Sequence, residues 1–210
     1  MANKIPAVLP DETERAFIER LRAGDPAACA QCVREHSDGL YRVARRMMRD
    51  PHEAEDVLQE TFLNAFKGIA QFDGRSSLKT WLYRICYNTA LMKLRGNKPP
   101  RVSVEDTLDA AEQGGLLPQA LHDWCCLPER EFETNDTRAQ LENALRALPE
   151  NSRIVFVLRE LEGLSTIETA NALGISEQAV KVRLHRARLA LRERLADYFA
   201  DLTPARQAKM

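Results

Sequence analysis

Apolar residues along this chain recur at the three- and four-residue spacings of helices buried on one side, and nowhere convincingly at the two-residue spacing of a strand. Asp11 to Ala23 reads as a first short helix, punctuated by Gly24. Asp25 caps the next, with Pro26 at its first helical position, and the pattern runs to about Arg49. Asp50-Pro51 restarts the chain. Val57, Leu58, Thr61, Phe62, Ala65 and Phe66 then form the apolar stripe of a third helix that reaches about Ile69. Phe72 to Ser77 is a loop, and a fourth helix spans about Ser77 to Arg95. Leu78, Leu82, Ile85, Thr89 and Met92 are its expected core face, while Trp81, Arg84, Asn88 and Arg95 share another.

The pattern lapses after Pro100. Residues 101 to about 135 contain Gly114, Gly115, Pro118 and Pro128, show weak periodicity, and read as a linker with at most a short helix near Leu116 to Trp124. Periodicity returns near Thr137, where Leu141, Ala144, Leu145 and Leu148 mark a helix broken by Pro149, followed by a helix over Ile154 to Leu161. Then comes a helix-turn-helix. Ser165 caps its first helix, Gly174 ends it in the left-handed conformation, Ser176 caps the second, and Ala170 is small where the two cross. Val180, Leu184, Ala187, Leu191 and Leu195 give the second helix a buried face, and Lys181, His185, Arg188 and Arg192 give it a basic one. The expectation is an all-α chain of two small helical domains, residues 11–98 and 137–198, joined by an acidic linker over 99–136.

Charge sharpens this picture. With 210 residues and a formal net charge of -1, the chain is no general polycation, but its charges are sorted. Asp50 to Phe66 holds five acidic residues and no Lys or Arg; Gly74 to Val104 holds seven basic residues and no acidic one; Glu105 to Asp136 sets nine acids against Arg130 alone. Distinct segments therefore suit distinct partners. No stretch approaches the roughly 20 apolar residues that span a bilayer, and Met1 to Pro10 does not read as a signal peptide. Five cysteines, two of them adjacent, argue against disulfide scaffolding and fit a reducing cytoplasm.

Three segments carry chemistry. The basic second helix of the helix-turn-helix suits a DNA groove. Lys79-Thr80-Trp81-Leu82-Tyr83-Arg84 interleaves cations with aromatic rings, which suits unpaired nucleic acid, and the Gly74 and serine-containing loop before it offers a pocket for an extruded base. Trp81 and Tyr83 serve equally well as core residues. On the acidic third helix, Glu53, Asp56, Gln59, Glu60 and Asn64 form either a solvated face or a docking surface for a basic protein. Cys29, Cys32 and His36 have a spacing compatible with zinc, as do His122, Cys125 and Cys126, but neither set has a clear fourth ligand. Packing of small buried residues is the favoured reading of Cys29, Cys32 and His36, and no metal or cofactor is expected. No nucleophile-base pattern, phosphate-binding Gly loop or paired carboxylates in a cleft context appears, so neither catalysis nor a small-molecule substrate is expected.

Asp50 to Phe62 and Phe72 to Ile85 closely resemble region 2 of bacterial sigma factors, and Leu145 to Glu150, Leu161 to Thr166 and Val180 to Arg188 resemble region 4. A short chain with only these two regions resembles the extracytoplasmic-function group of the sigma-70 family. The resemblance implies a transcription initiation factor, with core RNA polymerase, promoter DNA and an anti-sigma protein as partners. It implies that Glu53, Asp56, Gln59, Glu60 and Asn64 meet the clamp helices of the polymerase β′ subunit, and that the β flap is a second contact. Phe72, Asp73, Gly74, Arg75, Ser76, Ser77, Lys79, Trp81, Arg84 and Asn88 would recognise and melt the −10 element. Ser176, Glu177, Lys181, Val182, Arg183, His185 and Arg186 fall where relatives touch the −35 element. Three rivals remain: a stand-alone DNA-binding regulator, a metal- or redox-responsive protein, and a polymerase competitor that opens no promoter.

Overall fold

The computed structural model describes residues 11–96 and 135–202, with side chains of the second stretch over 139–196. Nearly all of the expected linker, the short helix expected near Leu116 and the His122, Cys125 and Cys126 set lie outside the described residues.

Four helices form the first domain: α1 (Glu12–Arg22), α2 (Pro26–Met47), α3 (Pro51–Gly68) and α4 (Leu78–Leu94). Each start has a side-chain cap. Asp11, Asp25, Asp50 and Ser77 accept from the amides of Glu14, Ala27, His52 and Thr80, and Pro26 and Pro51 occupy first-turn positions that need no amide donor. A 3-10 turn, Ile69–Gln71, carries the chain from α3 towards α4. Leu40, Val43, Val57, Phe62, Leu78 and Leu82 lie in the core between α2, α3 and α4. The expected stripe of α4 holds at Leu78, Leu82 and Thr89, but Met92 is 39% exposed.

The second domain comprises α5 (Asn135–Arg146), α6 (Glu150–Phe156), α7 (Thr166–Leu173) and α8 (Glu177–Leu202). The α6 helix begins four residues before the expected Ile154, because Pro149 ends α5 and immediately N-caps the next helix. It ends in a wider π turn, Val157–Leu161, closed by the Glu162 amide on the Val157 carbonyl at 3.0 Å. Ser165 and Glu168 form a reciprocal capping box at the start of α7. Gly174, at φ 68°, ends α7 in the left-handed region, where a side chain is strained. Val180, Leu184, Ala187, Leu191 and Leu195 are buried in this domain's core, as the spacing predicts.

The two domains are packed together. Ile154, Val157, Leu158, Leu164 and Ala172 of the second domain join the first domain's apolar core, and α7 lies along α4.

Candidate nucleic-acid and polymerase interfaces

The α3 helix buries Ala54, Val57, Thr61, Phe62 and Ala65 and so turns the opposite face outward. Asp56, Gln59, Glu60 and Asn64 are exposed there, and Glu53 is half-buried. Asp56 pairs with Lys93 of α4 at 2.6 Å. Between the acids stands Leu63, 58% exposed, a residue absent from the expected site. Its position outside the apolar stripe was the available signal. Leu63 adds one apolar residue to this outward polar face.

The loop before α4 is built from within. Asp73 accepts from the Arg75 amide at 3.1 Å and pairs with the Arg75 guanidinium at 2.9 Å, and Gly74 has φ 69°. Phe72 is buried, 3% exposed, with its ring centroid 5.0 Å from that of Trp81. Phe72 thus backs the Trp81 ring instead of presenting its own. Trp81 and Asn88 are half-buried and Arg84 is exposed along one side of α4, while Lys79, exposed in the first turn, lies on the other side of the helix. Phe72, Asp73, Arg75, Ser76, Trp81 and Arg84 help to line a cavity of about 340 Å³ whose far wall includes Asn171 of α7. The loop therefore borders a cavity with a ring and two guanidinium groups at its edge. Tyr83 is a core residue, 4% exposed.

On α8, Lys181 and Arg186 are exposed, Ser176 is exposed, and Glu177 and His185 are half-buried. Val182 and Arg183 are buried, at 5% and 3% exposure. Arg188 pairs with Glu160 at 2.7 Å. Cys32 is buried in the apolar core, and burial pushes its thiol up to about 12; Cys29 and His36 are half-buried. Among the described residues, no group of three or more His, Cys, Asp or Glu converges as a metal site. No helix among them is long and apolar enough to cross a membrane.

The domain junction was invisible to sequence reading. Glu162, 2% exposed at its side chain, accepts from Arg42 Nε and Nη2, both at 2.8 Å, and from the Tyr83 hydroxyl at 2.9 Å. Its main-chain carbonyl accepts from Lys79 Nζ at 3.1 Å. Arg46 and Glu142 make a second ion pair across the junction at 3.1 Å. These partners lie 79 to 120 residues apart in the sequence, beyond any local pattern.

Residues 32–99 match the family model of Sigma-70 region 2, and residues 138–191 that of Sigma-70 region 4. The chain is 35% identical over 184 residues to the ECF RNA polymerase sigma factor SigW of Bacillus subtilis, covering 86% of this chain and 95% of that protein. It is 34% identical to the RNA polymerase sigma-H factor of Pseudomonas aeruginosa, over 88% of this chain and 94% of that one. Among solved structures, CnrH in complex with the cytosolic domain of CnrY aligns over 89% of this chain and 99% of its own, with a TM-score of 0.63 and 25% identity. With both regions matched in order and relatives aligned over nearly their full length, the chain belongs to the extracytoplasmic-function RNA polymerase sigma factors of the sigma-70 family.

Proposed function

We propose that this sigma factor divides promoter recognition between α4 and α8 and docks on core polymerase through α3. The observation that carries the assignment is the α4 face, where Trp81 and Arg84 line a pocket backed by Phe72 and Asn88 shares their side of the helix, with Lys79 exposed in the first turn. Cations track a strand's phosphates and the ring stacks on, or wedges beside, an unpaired base, which is what capture of a melted −10 strand requires. Lys181, His185 and Arg186 of α8 enter the duplex groove at the −35 element, with Ser176 and Glu177 at the helix start. Val182 and Arg183, buried in the packed arrangement, come into reach when the domains separate. Glu53, Asp56, Gln59, Glu60 and Asn64 surround Leu63 as the anchor on the β′ clamp helices, and the second domain takes the β flap. The protein is an initiation factor and not an enzyme, acts in the cytoplasm, and the polymerase performs the chemistry. An anti-sigma protein holds it inactive. The complex of the relative CnrH with the cytosolic domain of CnrY supports a protein partner of this kind.

Run-off transcription with core polymerase and a genomic fragment library tests the reading. Promoter-specific transcripts that require this chain, and vanish on Trp81→Ala or Lys181→Glu, are expected. Core binding without transcripts would favour a competitor, and duplex binding without core would favour a stand-alone regulator.

A further inference from the structure

Beside the ion pairs of the junction lies a cleft of about 610 Å³ that is distinct from both candidate DNA-reading faces and shares only Glu53 with the α3 surface. Five arginines line it: Arg45, Arg46 and Arg49 from the end of α2 and the turn after it, and Arg146 and Arg153 from the second domain. Glu53 and Glu150 are the acidic residues in its wall. Counting Glu142, which pairs with Arg46, five guanidinium groups face three carboxylates, which leaves an excess of two positive charges in a concave space.

These arginines are positioned largely by neutral groups. Arg45 donates to the carbonyls of Met48 and Arg49, each at 3.4 Å, and Arg153 donates to the carbonyl of Arg146 at 3.1 Å. Arg46 alone has its charge paired, with Glu142, and its Nε is buried with no hydrogen-bond partner. Among the described residues, no carboxylate lies in ion-pair range of Arg45, Arg49, Arg146 or Arg153. Burial, together with the like charge of Arg49, holds the Arg153 guanidinium below its ordinary value against the opposing pull of Glu150. Arg45 and Arg153, held on main-chain carbonyls with no carboxylate in ion-pair range, offer guanidinium forks that match an anion of several adjacent charges. A duplex is too wide for a cleft of this volume, and a single carboxylate leaves half of the excess charge unmet.

We infer that the arginine cleft between the two domains binds a linear oligophosphate, either the free inorganic chain or the triphosphate of a nucleotide. Because both domains contribute arginines, the bound anion also holds the domains together. The site was not among the expected ones, since its five residues belong to two separate runs of the sequence.

The test is calorimetric titration of the full chain with inorganic tripolyphosphate, pyrophosphate and orthophosphate at matched ionic strength, and in parallel with a nucleoside triphosphate and the bare nucleoside. Saturable binding that strengthens with each added phosphate is expected, with at least a tenfold loss in the R49Q/R153Q double variant. Equal affinity for the nucleotide and tripolyphosphate identifies the phosphates alone as the ligand; tighter binding of the nucleotide adds the base. Thermal unfolding of the variant without ligand separates a binding site from a structural one. Removing two like charges is expected to leave Tm unchanged or raised, whereas arginines that merely brace the fold would lower it. The inference is overturned if no saturable binding appears, if the variant binds equally well, or if a polyglutamate peptide displaces tripolyphosphate at lower concentration.

Discussion

The guanidinium of Arg42 meets the carboxylate of Glu162 through two parallel hydrogen bonds of 2.8 Å, joining residues 120 apart and, with them, the two DNA-reading domains. Arg42 is half exposed, whereas the Glu162 side chain is 2% exposed and also accepts from buried Tyr83. The hydrogen bond to Glu162 makes the Arg42 guanidinium harder to deprotonate, and burial, followed by the Glu162 charge, pushes the Tyr83 phenol up. Glu162→Ala leaves the Tyr83 hydroxyl buried and unpaired, at a cost of about 1–3 kcal/mol. Because the first-domain core also stands on its own α2–α4 contacts, that cost falls on the junction. Small-angle scattering should show a larger radius of gyration for the variant and the helical content should persist. An unchanged radius would show that the apolar contacts of Ile154, Val157 and Leu158 hold the junction without the ion pair.

Gly39 sits against the same group. A Cβ there would lie 2.4 Å from the Tyr83 hydroxyl oxygen and 3.1 Å from Glu162 Oε2. Gly39→Ala must therefore push Tyr83 away from Glu162. We expect it to lower Tm in the parent and to do so by less than half as much in a Tyr83→Phe background. Equal losses in both backgrounds would place the clash elsewhere.

Trp81 and Phe72 touch each other yet should fail differently. Trp81→Ala removes a stacking surface worth about 1–3 kcal/mol per base. Permanganate reactivity of the −10 thymines should fall about tenfold or more while core binding persists. Phe72→Ala opens a hole in the core and should destabilise the fold by about 3–5 kcal/mol, visible as a lower Tm before any promoter is added. Both variants behaving as folding defects would return Trp81 to the core.

Leu63 offers a cleaner separation, because its exposed side chain holds up nothing. Leu63→Glu should leave stability within about 0.5 kcal/mol of the parent and weaken binding to core polymerase at least tenfold. Normal affinity in a pull-down titration would move the docking anchor off α3.

The thiols supply a pH signature. Burial raises Cys32 and Cys86 to about 12, well above the range of an unfolded cysteine. Protonated thiol is thus favoured by the folded state, and the stability it contributes is fully present below about pH 8.5 and is lost as pH climbs towards 12. Denaturant midpoints should decline over that window, more steeply than in a Cys32→Ala/Cys86→Ala variant. At pH 8, iodoacetamide should modify half-buried Cys29 long before the other two.

Much of this molecule was legible in its sequence because its elements are locally specified. Asp11, Asp25, Asp50, Ser77 and Ser165 announce helix starts, Gly174 announces a stop, and the stripe from Val57 to Phe66 tells which side of α3 is inside. The placement of Trp81, Arg84 and Asn88 on one side of α4 follows from the same periodicity. Two kinds of residue escaped. Phe72 reads as a loop aromatic because nothing local reveals that the 3-10 turn at Ile69 tucks it under Trp81. Arg42, Glu162 and the arginine cleft are set by how two separately patterned domains meet, and charge complementarity at that range leaves no trace in spacing. The start of α6 was misplaced for a simpler reason: the polar first turn from Glu150 carries no apolar mark, although Pro149 is itself a good helix-start residue.

The ammonium of Lys79 is spoken for: it rests on the Glu162 carbonyl, whereas the function proposed above needs it on a promoter strand. A molecule engaged with that strand cannot keep this contact, so resting and reading are exclusive states of one side chain. On that proposal an affinity measured for the promoter strand is the intrinsic value diluted by the fraction of molecules that have let go. If about one molecule in a hundred is released at a given moment, binding looks about a hundredfold weaker than the surfaces themselves allow. On that proposal, a contact within the protein sets part of the strength with which it holds a promoter.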